Sequence, residues 1–400
     1  MICGRKMNNI EDISDLAGKK VLVRVDYNVP IKKGKVANNE RVIASLETIN
    51  YLVEKGAAVV LCSHLGRPEG QKNLEFSLKP LVKELEQLIK IKVNFVDDCV
   101  GIAKDKAVIG LGSGQVLLLE NVRFYPEEEN NDALFAQKLA RGCDIYINDA
   151  FSSSHRAHAS VVGVSEYIPS YAGFCMEKEI VNLSKLLNEP AKPFVFISGG
   201  AKISDKIGIL ENLLGKVDVM LIGGGMANTF LCGQQAEVGC SLYEEDFIKK
   251  SQEILAIGQE KGVKIILPID AVITREITEK AHGLNVPIDE VGELDIIADI
   301  GVDTISLFEK EIAKAGTIFW NGPLGVAEFP EFANGTVSIG KAIARNESVF
   351  SVIGGGDTIA AISEEVKDHY NFVSMAGGAS MEFLEGKELP GIMVLENKTI

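Results

Sequence analysis

The sequence predicts an α/β protein made of two doubly wound parallel-sheet domains, joined by a helix and facing a common cleft. Three observations carry this. Short apolar runs alternate with longer amphipathic stretches, the pattern of parallel strands with crossover helices. A length of 400 residues suits two domains of about 100–200 residues each. Many of the apolar runs end in glycine, charged or polar clusters, and open α/β sheets bind ligands outside the carboxyl ends of their strands.

In the first half, strands are expected at 21–28, 57–64, 92–96, 116–124 and 145–151, with helical patterns at 40–55 and 78–89. A helix over 171–187 follows and runs into Asn188-Glu189-Pro190-Ala191-Lys192-Pro193, where two prolines punctuate a new start. In the second half, strands are expected at 194–198, 219–222, 264–268, 317–320, 349–353 and 372–375. The expected division is therefore a first domain over 1–170, a linking helix over 171–189 and a second domain over 190–388. No clear repeat relates the two halves.

Hydrophobic residues make up 46%, enough for two packed cores, and the 24% charged is ordinary for a globular chain. A net charge of -15 repels nucleic acid and anionic membranes. A small acidic ligand then needs a local basic pocket. Seven of the nine arginines fall in the first 156 residues: Arg5, Arg24, Arg41, Arg67, Arg123, Arg141 and Arg156. Any one of them alone reads as solvated surface; five of the seven sit at strand ends or inside motifs, which suggests a pocket. The seven cysteines, Cys3, Cys62, Cys99, Cys143, Cys175, Cys232 and Cys240, are scattered, odd in number and without C-x-x-C. They read as reduced residues of a cytoplasmic protein rather than a disulfide or zinc framework. Residues Met1 to Asn9 lack the apolar core of a secretory signal, and no window is long and apolar enough to span a membrane.

Gly354-Gly355-Gly356-Asp357-Thr358 follows an apolar run and precedes a helical pattern at 359–366. Glycines let the backbone approach a ligand, and the first amides of a helix point at it, which suits phosphate. Asp357 either holds magnesium or caps the helix. Gly199-Gly200-Ala201-Lys202-Ile203-Ser204-Asp205-Lys206 also follows a strand. Lys202 and Lys206 share a face if a helix begins there, and two ammonium groups beside a glycine turn suit a polyphosphate. This is not a Walker A motif. His64-Leu65-Gly66-Arg67-Pro68 and His155-Arg156-Ala157-His158 set His beside Arg in loops, an anion clamp. Arg123 ends a strongly apolar strand, so its charge must reach a ligand or pair with a buried carboxylate.

Together these fragments resemble the phosphoglycerate kinase family. The matches are Arg24-Val25-Asp26-Tyr27-Asn28-Val29-Pro30, Ser63 to Pro68, Glu120-Asn121-Val122-Arg123-Phe124 and His155 to Ser160. They continue with Gly199 to Ile207, Gly223-Gly224-Gly225-Met226-Ala227, Trp320-Asn321-Gly322-Pro323, Gly354 to Thr358, and Leu384-Glu385-Gly386-Lys387 with Leu389-Pro390-Gly391. Nine blocks in order, spanning 24–391, leave little room for chance.

The resemblance implies two Rossmann-like domains and reversible phosphoryl transfer between Mg–ATP or Mg–ADP and the carboxylate of 3-phosphoglycerate. By similarity, Asp26, Asn28, Arg41, His64, Leu65, Gly66, Arg67, Arg123 and Arg156 hold the acid substrate on the first domain. Gly200, Lys202, Lys206, Gly224, Asn321, Pro323, Glu328, Gly354, Gly355, Gly356, Asp357 and Thr358 hold the nucleotide on the second. Asp357 would be the Mg2+ ligand. Arg41, Lys202, Gly377 and Gly378 would act on the transferring group. The peptide 389–400 would return to the first domain, and the implied protein is a cytoplasmic monomer.

The sequence departs from the family's usual pattern in four places. Ser374-Met375-Ala376-Gly377-Gly378-Ala379-Ser380 stands for S-T-G-G-G-A-S, and Ser152-Ser153-Ser154 for G-x-A. Glu47 stands where proline is usual, and Ala327 where phenylalanine is common. Two rivals are weaker. An NAD-dependent dehydrogenase needs G-x-G-x-x-G, and Gly110-x-Gly112-x-Gly114 fails its spacing. A two-lobed solute-binding protein needs an export signal.

Overall fold

The computed structural model describes residues 7–396; Cys3, Arg5 and the last four residues of the expected returning peptide lie outside them. The chain divides into two compact units. One comprises Met1–Val181 with Glu388–Ile400, the other Asn182–Lys387.

The first unit contains β1 (Lys20–Arg24), β2 (Ile31–Lys32), β3 (Lys35–Val36), β4 (Ala58–Cys62), β5 (Val93–Val96), β6 (Val116–Leu119), β7 (Ile145–Asn148) and β8 (Ser170–Ala172). Six of these form a sheet in the order β5-β6-β4-β1-β7-β8, with every neighbouring pair parallel. Val21, Val23, Val59 and Leu61 bury one face, and Leu22, Val60, Leu117 and Leu119 the other. Burial on both faces is why these strands read as unbroken apolar runs rather than alternating ones. Arg24 lies level with Cys62 and with Asn148. The segments after β1, β4 and β7 therefore leave the sheet together, at the point where the strand order turns back on itself. Residues of the C-terminal segment close this unit: Gly391 N donates to Ser154 O at 2.8 Å and Asn148 Nδ2 to Gly391 O at 3.1 Å.

The second unit contains β9 (Phe194–Ser198), β10 (Val219–Ile222), β11 (Lys264–Ile266), β12 (Asp270–Thr274), β13 (Leu284–Pro287), β14 (Ile296–Ile300), β15 (Thr317–Asn321), β16 (Phe350–Gly354) and β17 (Phe372–Ser374). Its main sheet runs β11-β10-β9-β15-β16-β17, all parallel. The order reverses between β9 and β15, so the crevice lies beyond Ser198 and Asn321. The expected class, two parallel α/β sheets, is what the chain forms.

Several local expectations need correction. The strands expected at 21–28, 57–64, 116–124 and 145–151 stop four, two, five and three residues earlier, at Arg24, Cys62, Leu119 and Asn148. Val25, Tyr27, Leu65 and Val122 remain buried after leaving the sheet, so hydropathy alone does not mark the exit. The helix expected over 40–55 is two, Glu40–Ala44 and Leu46–Glu54. They meet at Ser45, whose hydroxyl turns back to Val42 O at 2.8 Å. The pattern at 359–366 is likewise two short helices, Gly356–Ala360 and Glu364–Lys367. Tyr171 and Ala172 belong to β8, and the helix after them is Phe174–Leu187. The antiparallel sheet β13-β12-β14 has no counterpart in the sequence reading. Its strands carry Asp270, Thr274, Asn285 and Pro287 among the apolar residues and so lack the unbroken apolar signature.

Candidate active site

In the first unit, the strand-end loops gather a basic face around one buried cation. Arg24, 1% exposed, closes β1. Its Nε donates to Ser160 Oγ at 2.9 Å and its Nη2 lies 3.0 Å from His64 Nδ1. Ser160 in turn hydrogen-bonds buried Glu128 through both its amide and its hydroxyl. Because guanidinium only donates, His64 Nδ1 must accept. The ring proton then sits on Nε2. Burial first, then Arg24, Arg123, Arg156 and Arg41, hold the His64 pKa well below its ordinary 6.5. His64 is thus a neutral N–H donor set among cations.

Around it, Arg41 forms an ion pair with Asp26, and Ser152 donates to the same carboxylate. Asn28 Oδ1 accepts from Gly66 N at 2.9 Å, and Arg123 Nη1 donates to Gly66 O at 2.9 Å. Arg123 also pairs with Glu129 at 3.1 Å, so its partner is a half-exposed carboxylate rather than a buried one. Burial lowers its pKa from 12.5 to about 10. Arg156 Nε lies 3.1 Å from His155 Nε2, and Arg67 is exposed. Leu65 contributes backbone only: its side chain is in the core and its carbonyl accepts from Asn121 Nδ2 at 2.8 Å. An ionic frame with Arg67 exposed and Arg41 and Arg156 half-buried at its edge suits a small polyanion.

In the second unit, three loops meet backbone to backbone at the sheet's crevice. Gly200 N donates to Pro323 O at 2.8 Å, Gly224 N to Leu324 O at 3.0 Å and Met226 N to Gly200 O at 3.0 Å. A Cβ on Gly224, which has φ +63, would stand 2.7 Å from Gly200 N. Only glycine allows this approach. Beyond the junction lie two cavities that share Gly200, Ala201, Pro323 and Asp357. The polar one, about 540 Å³, is lined by Lys202, Lys206, Asn321, Gly355, Gly356, Thr358, Gly377 and Gly378. The other, about 280 Å³, is apolar, walled by Leu231, Leu242, Ile297, Leu324 and Val326, and is flanked by Gly224 and Glu328.

Lys202 and Lys206 do not share a helical face, contrary to expectation. The helix begins at Ile207 with Lys206 as its N-cap residue, and the turn before it still brings both lysines to one cavity. Lys206 donates to Asn321 Oδ1. Burial lowers its pKa from 10.5 to about 8 against the opposing pull of Asp205 and Asp357. Asp357 stands in the first turn of its helix, whose N-cap residue is Gly355, and its exposed side chain lines the cavity. Thr358 spends its hydroxyl on the Gly322 amide, accepting at 2.8 Å. Gly354 belongs to β16 and lines neither cavity. Gly377, at φ +57, opens the helix Gly378–Leu384.

Sequence reasoning left out Arg24, although it opens the first matched block, because a charge inside an apolar strand does not announce a ligand. It also left out Asp205, Glu382, Glu385 and Lys387, which line the polar cavity. The apolar wall from Ala271, Ile288 and Ile296 to Ile300 was missed because the antiparallel sheet was missed.

Among the described residues, no group of three or more His, Cys, Asp or Glu is arranged to hold a metal ion. That fits magnesium, which is commonly held by one or two carboxylates together with substrate phosphates.

The family model described as phosphoglycerate kinase matches residues 10–387. A phosphoglycerate kinase of Dictyoglomus turgidum is 50% identical over 385 residues, covering 96% of this chain and 97% of the relative. One from Borreliella afzelii is 47% identical over 396 residues, with 98% and 99% covered. The solved phosphoglycerate kinase from Coxiella burnetii superposes with a TM-score of 0.88 at 40% identity, covering 98% of this chain and 99% of that one. The enzyme from Pyrococcus horikoshii OT3 gives 0.85 at 32% identity, over 97% and 98%. A family match across nearly the full length, on two parallel sheets with glycine-rich and basic strand ends, means that this chain belongs to the phosphoglycerate kinase family.

Proposed function

We propose that this chain transfers a phosphoryl group reversibly between Mg–ATP and the carboxylate of 3-phosphoglycerate, giving ADP and 1,3-bisphosphoglycerate, a step of glycolysis and gluconeogenesis. The observation that carries the reading, within this family, is the paired cavity of the second unit. Its polar half has two lysines and open glycine amides for a polyphosphate, and its apolar half suits a base. The basic face of the first unit supports the assignment of the acid substrate to that unit. Asp26, Asn28, Arg41, His64, Arg67, Arg123 and Arg156 would bind it, His64 as a neutral donor. The domain roles are then 1–170 for the acid, 190–388 for the nucleotide and 171–189 as the link.

The acceptor carboxylate is ionised at neutral pH, so no general base is required. What remains is alignment of two anions and neutralisation of charge on the transferring group. Arg41 serves from the acid side, and Lys202 with the amides of Gly377 and Gly378 from the nucleotide side. Asp357 would hold Mg2+, which when bound neutralises charge on the phosphate oxygens. Transfer requires the half-sites to close on each other, which also excludes water and limits hydrolysis.

We read the protein as a cytoplasmic monomer. Among the described residues no helix is long and apolar enough to cross a membrane, and the six described cysteines are free thiols, which suits a reducing compartment. The test is ADP release from ATP and magnesium. It should depend on 3-phosphoglycerate, and release that is indifferent to that acid would overturn the proposal.

A further inference from the structure

Arg24 is a buried cation whose hydrogen-bond partners are all neutral. Its guanidinium meets Ser160 Oγ, Ser153 Oγ, the Val25 carbonyl and His64 Nδ1. The opposite charge stands one residue further back. Glu128, fully buried in the short helix Pro126–Glu129, takes both donors of Ser160: the amide on Oε2 at 2.8 Å and the hydroxyl on Oε1. Burial raises the Glu128 pKa, and Arg24 and the two Ser160 bonds oppose that rise. Ser160 Oγ thus lies between a carboxylate and a guanidinium, an ion pair mediated by one hydroxyl.

A hydroxyl has a single proton. With the carboxylate taking it, only lone pairs remain to face Arg24 Nε at 2.9 Å. Each bond then sets the direction of the next, from Glu128 to Ser160 to Arg24 to His64. The start of the chain is held by other contacts. The Tyr146 hydroxyl donates to Ser160 O at 2.8 Å, and Ala159 N donates to Glu128 O at 2.9 Å. His158 Nδ1 lies 3.9 Å from the Glu128 carboxylate, beyond hydrogen-bond reach, and does not compete for it. Without the Ser160 hydroxyl, Arg24 Nε has no acceptor. The guanidinium is then free to tilt, and the His64 ring is free to carry its proton on either nitrogen.

We infer that Ser160 is a positioning residue for the acid site: backed by Glu128, its hydroxyl holds Arg24 in the orientation that keeps His64 an Nε2–H donor. This rests on the reading that His64 donates to the acid substrate. Ser160→Ala keeps the amide bond to Glu128 and the carbonyl bond from Tyr146, so it isolates the hydroxyl.

The test uses the full chain labelled with 15N-histidine. Long-range 1H–15N spectra at neutral pH read the tautomer, with His64 assigned by the loss of its signals in His64→Gln. Calorimetry reads 3-phosphoglycerate and ADP separately. The wild-type ring should show a bare Nδ1 and a protonated Nε2. Ser160→Ala should average the two nitrogens, weaken 3-phosphoglycerate binding about tenfold and leave ADP binding unchanged. A wild-type His64 protonated on Nδ1 overturns the inference, and so does a Ser160→Ala ring spectrum identical to wild type. Glu128→Gln turns a donor toward Ser160 Oγ and competes for its lone pairs. It should shift the ring the same way, and an unshifted ring in it overturns the inference if Ser160→Ala does not fold. A shifted ring with unchanged 3-phosphoglycerate affinity supports the chain of bonds and refutes the placement of the acid on His64. A wild-type protein that binds no 3-phosphoglycerate refutes the acid-site reading itself, while the ring spectra still decide the role of Ser160.

Discussion

Raising the pH from 7 to 9.5 should weaken nucleotide binding by about thirtyfold, with Lys206 as the responsible group. In the free protein, burial lowers its pKa to about 8, opposed by Asp205 and Asp357. Bound phosphates favour the ammonium and raise the pKa toward its ordinary range. The sign follows. Below pH 8 the ammonium is already present and binding is nearly pH-independent. Above pH 8 the free protein has lost the proton that the complex retains, so binding takes up a proton and affinity falls about tenfold per pH unit. One and a half units beyond the free pKa gives about thirtyfold, or about 2 kcal/mol. Calorimetry of ADP at pH 7, 8, 9 and 9.5, in two buffers of different ionisation enthalpy, reads both the affinity and the protons taken up. Lys206→Met should bind weakly at every pH with a flat profile. An equally steep fall in Lys206→Met would assign the titration to another group, and a flat wild-type profile would refute the placement of this ammonium against phosphate.

Four further outcomes are expected. Arg41→Ala should leave ADP affinity near normal and lower turnover about a hundredfold, the effect of losing about 3 kcal/mol of transition-state stabilisation; steady-state rates within a few-fold of wild type would remove Arg41 from the reacting centre. Glu328→Ala should weaken ADP binding with no change for 3-phosphoglycerate in separate titrations, because Glu328 lines only the apolar cavity. Restoring the usual pair with Met375→Thr and Ala376→Gly should change turnover by no more than about tenfold, roughly 1.4 kcal/mol, since the left-handed residue of that loop is Gly377 and not Ala376. Arg24→Met should cost on the order of 3 kcal/mol in urea unfolding, because it strips His64, Ser160 and buried Glu128 of their cation.

What the sequence conveyed and what it withheld divide along physical lines. Parallel strands buried on both faces print as uninterrupted apolar runs, so β1, β4, β6, β9 and β15 were legible. Glycines at positive φ and arginines in the loops beyond strand ends print as motifs, so Gly200, Gly355, Gly377 and Arg123 were legible too. Strand ends were not, because Val25 and Tyr27 stay buried after the chain turns out of the sheet. The apolar cavity was the larger omission. Part of its wall, Ala271 and Ile296 to Ile300, comes from β12 and β14, short strands of mixed composition in a small antiparallel sheet, and Asn228, another lining residue, sits inside an ordinary helical pattern. The state of His64 was also hidden, since its tautomer follows from a contact with Arg24, forty residues away in sequence.

The central claim is that the phosphoryl group goes to a carboxylate. Incubation with ATP, magnesium and 3-phosphoglycerate, followed by 31P NMR with and without hydroxylamine, tests that claim most directly. An acyl phosphate resonance that hydroxylamine abolishes is the expected result. A hydroxylamine-resistant phosphate ester, or inorganic phosphate alone, would contradict it.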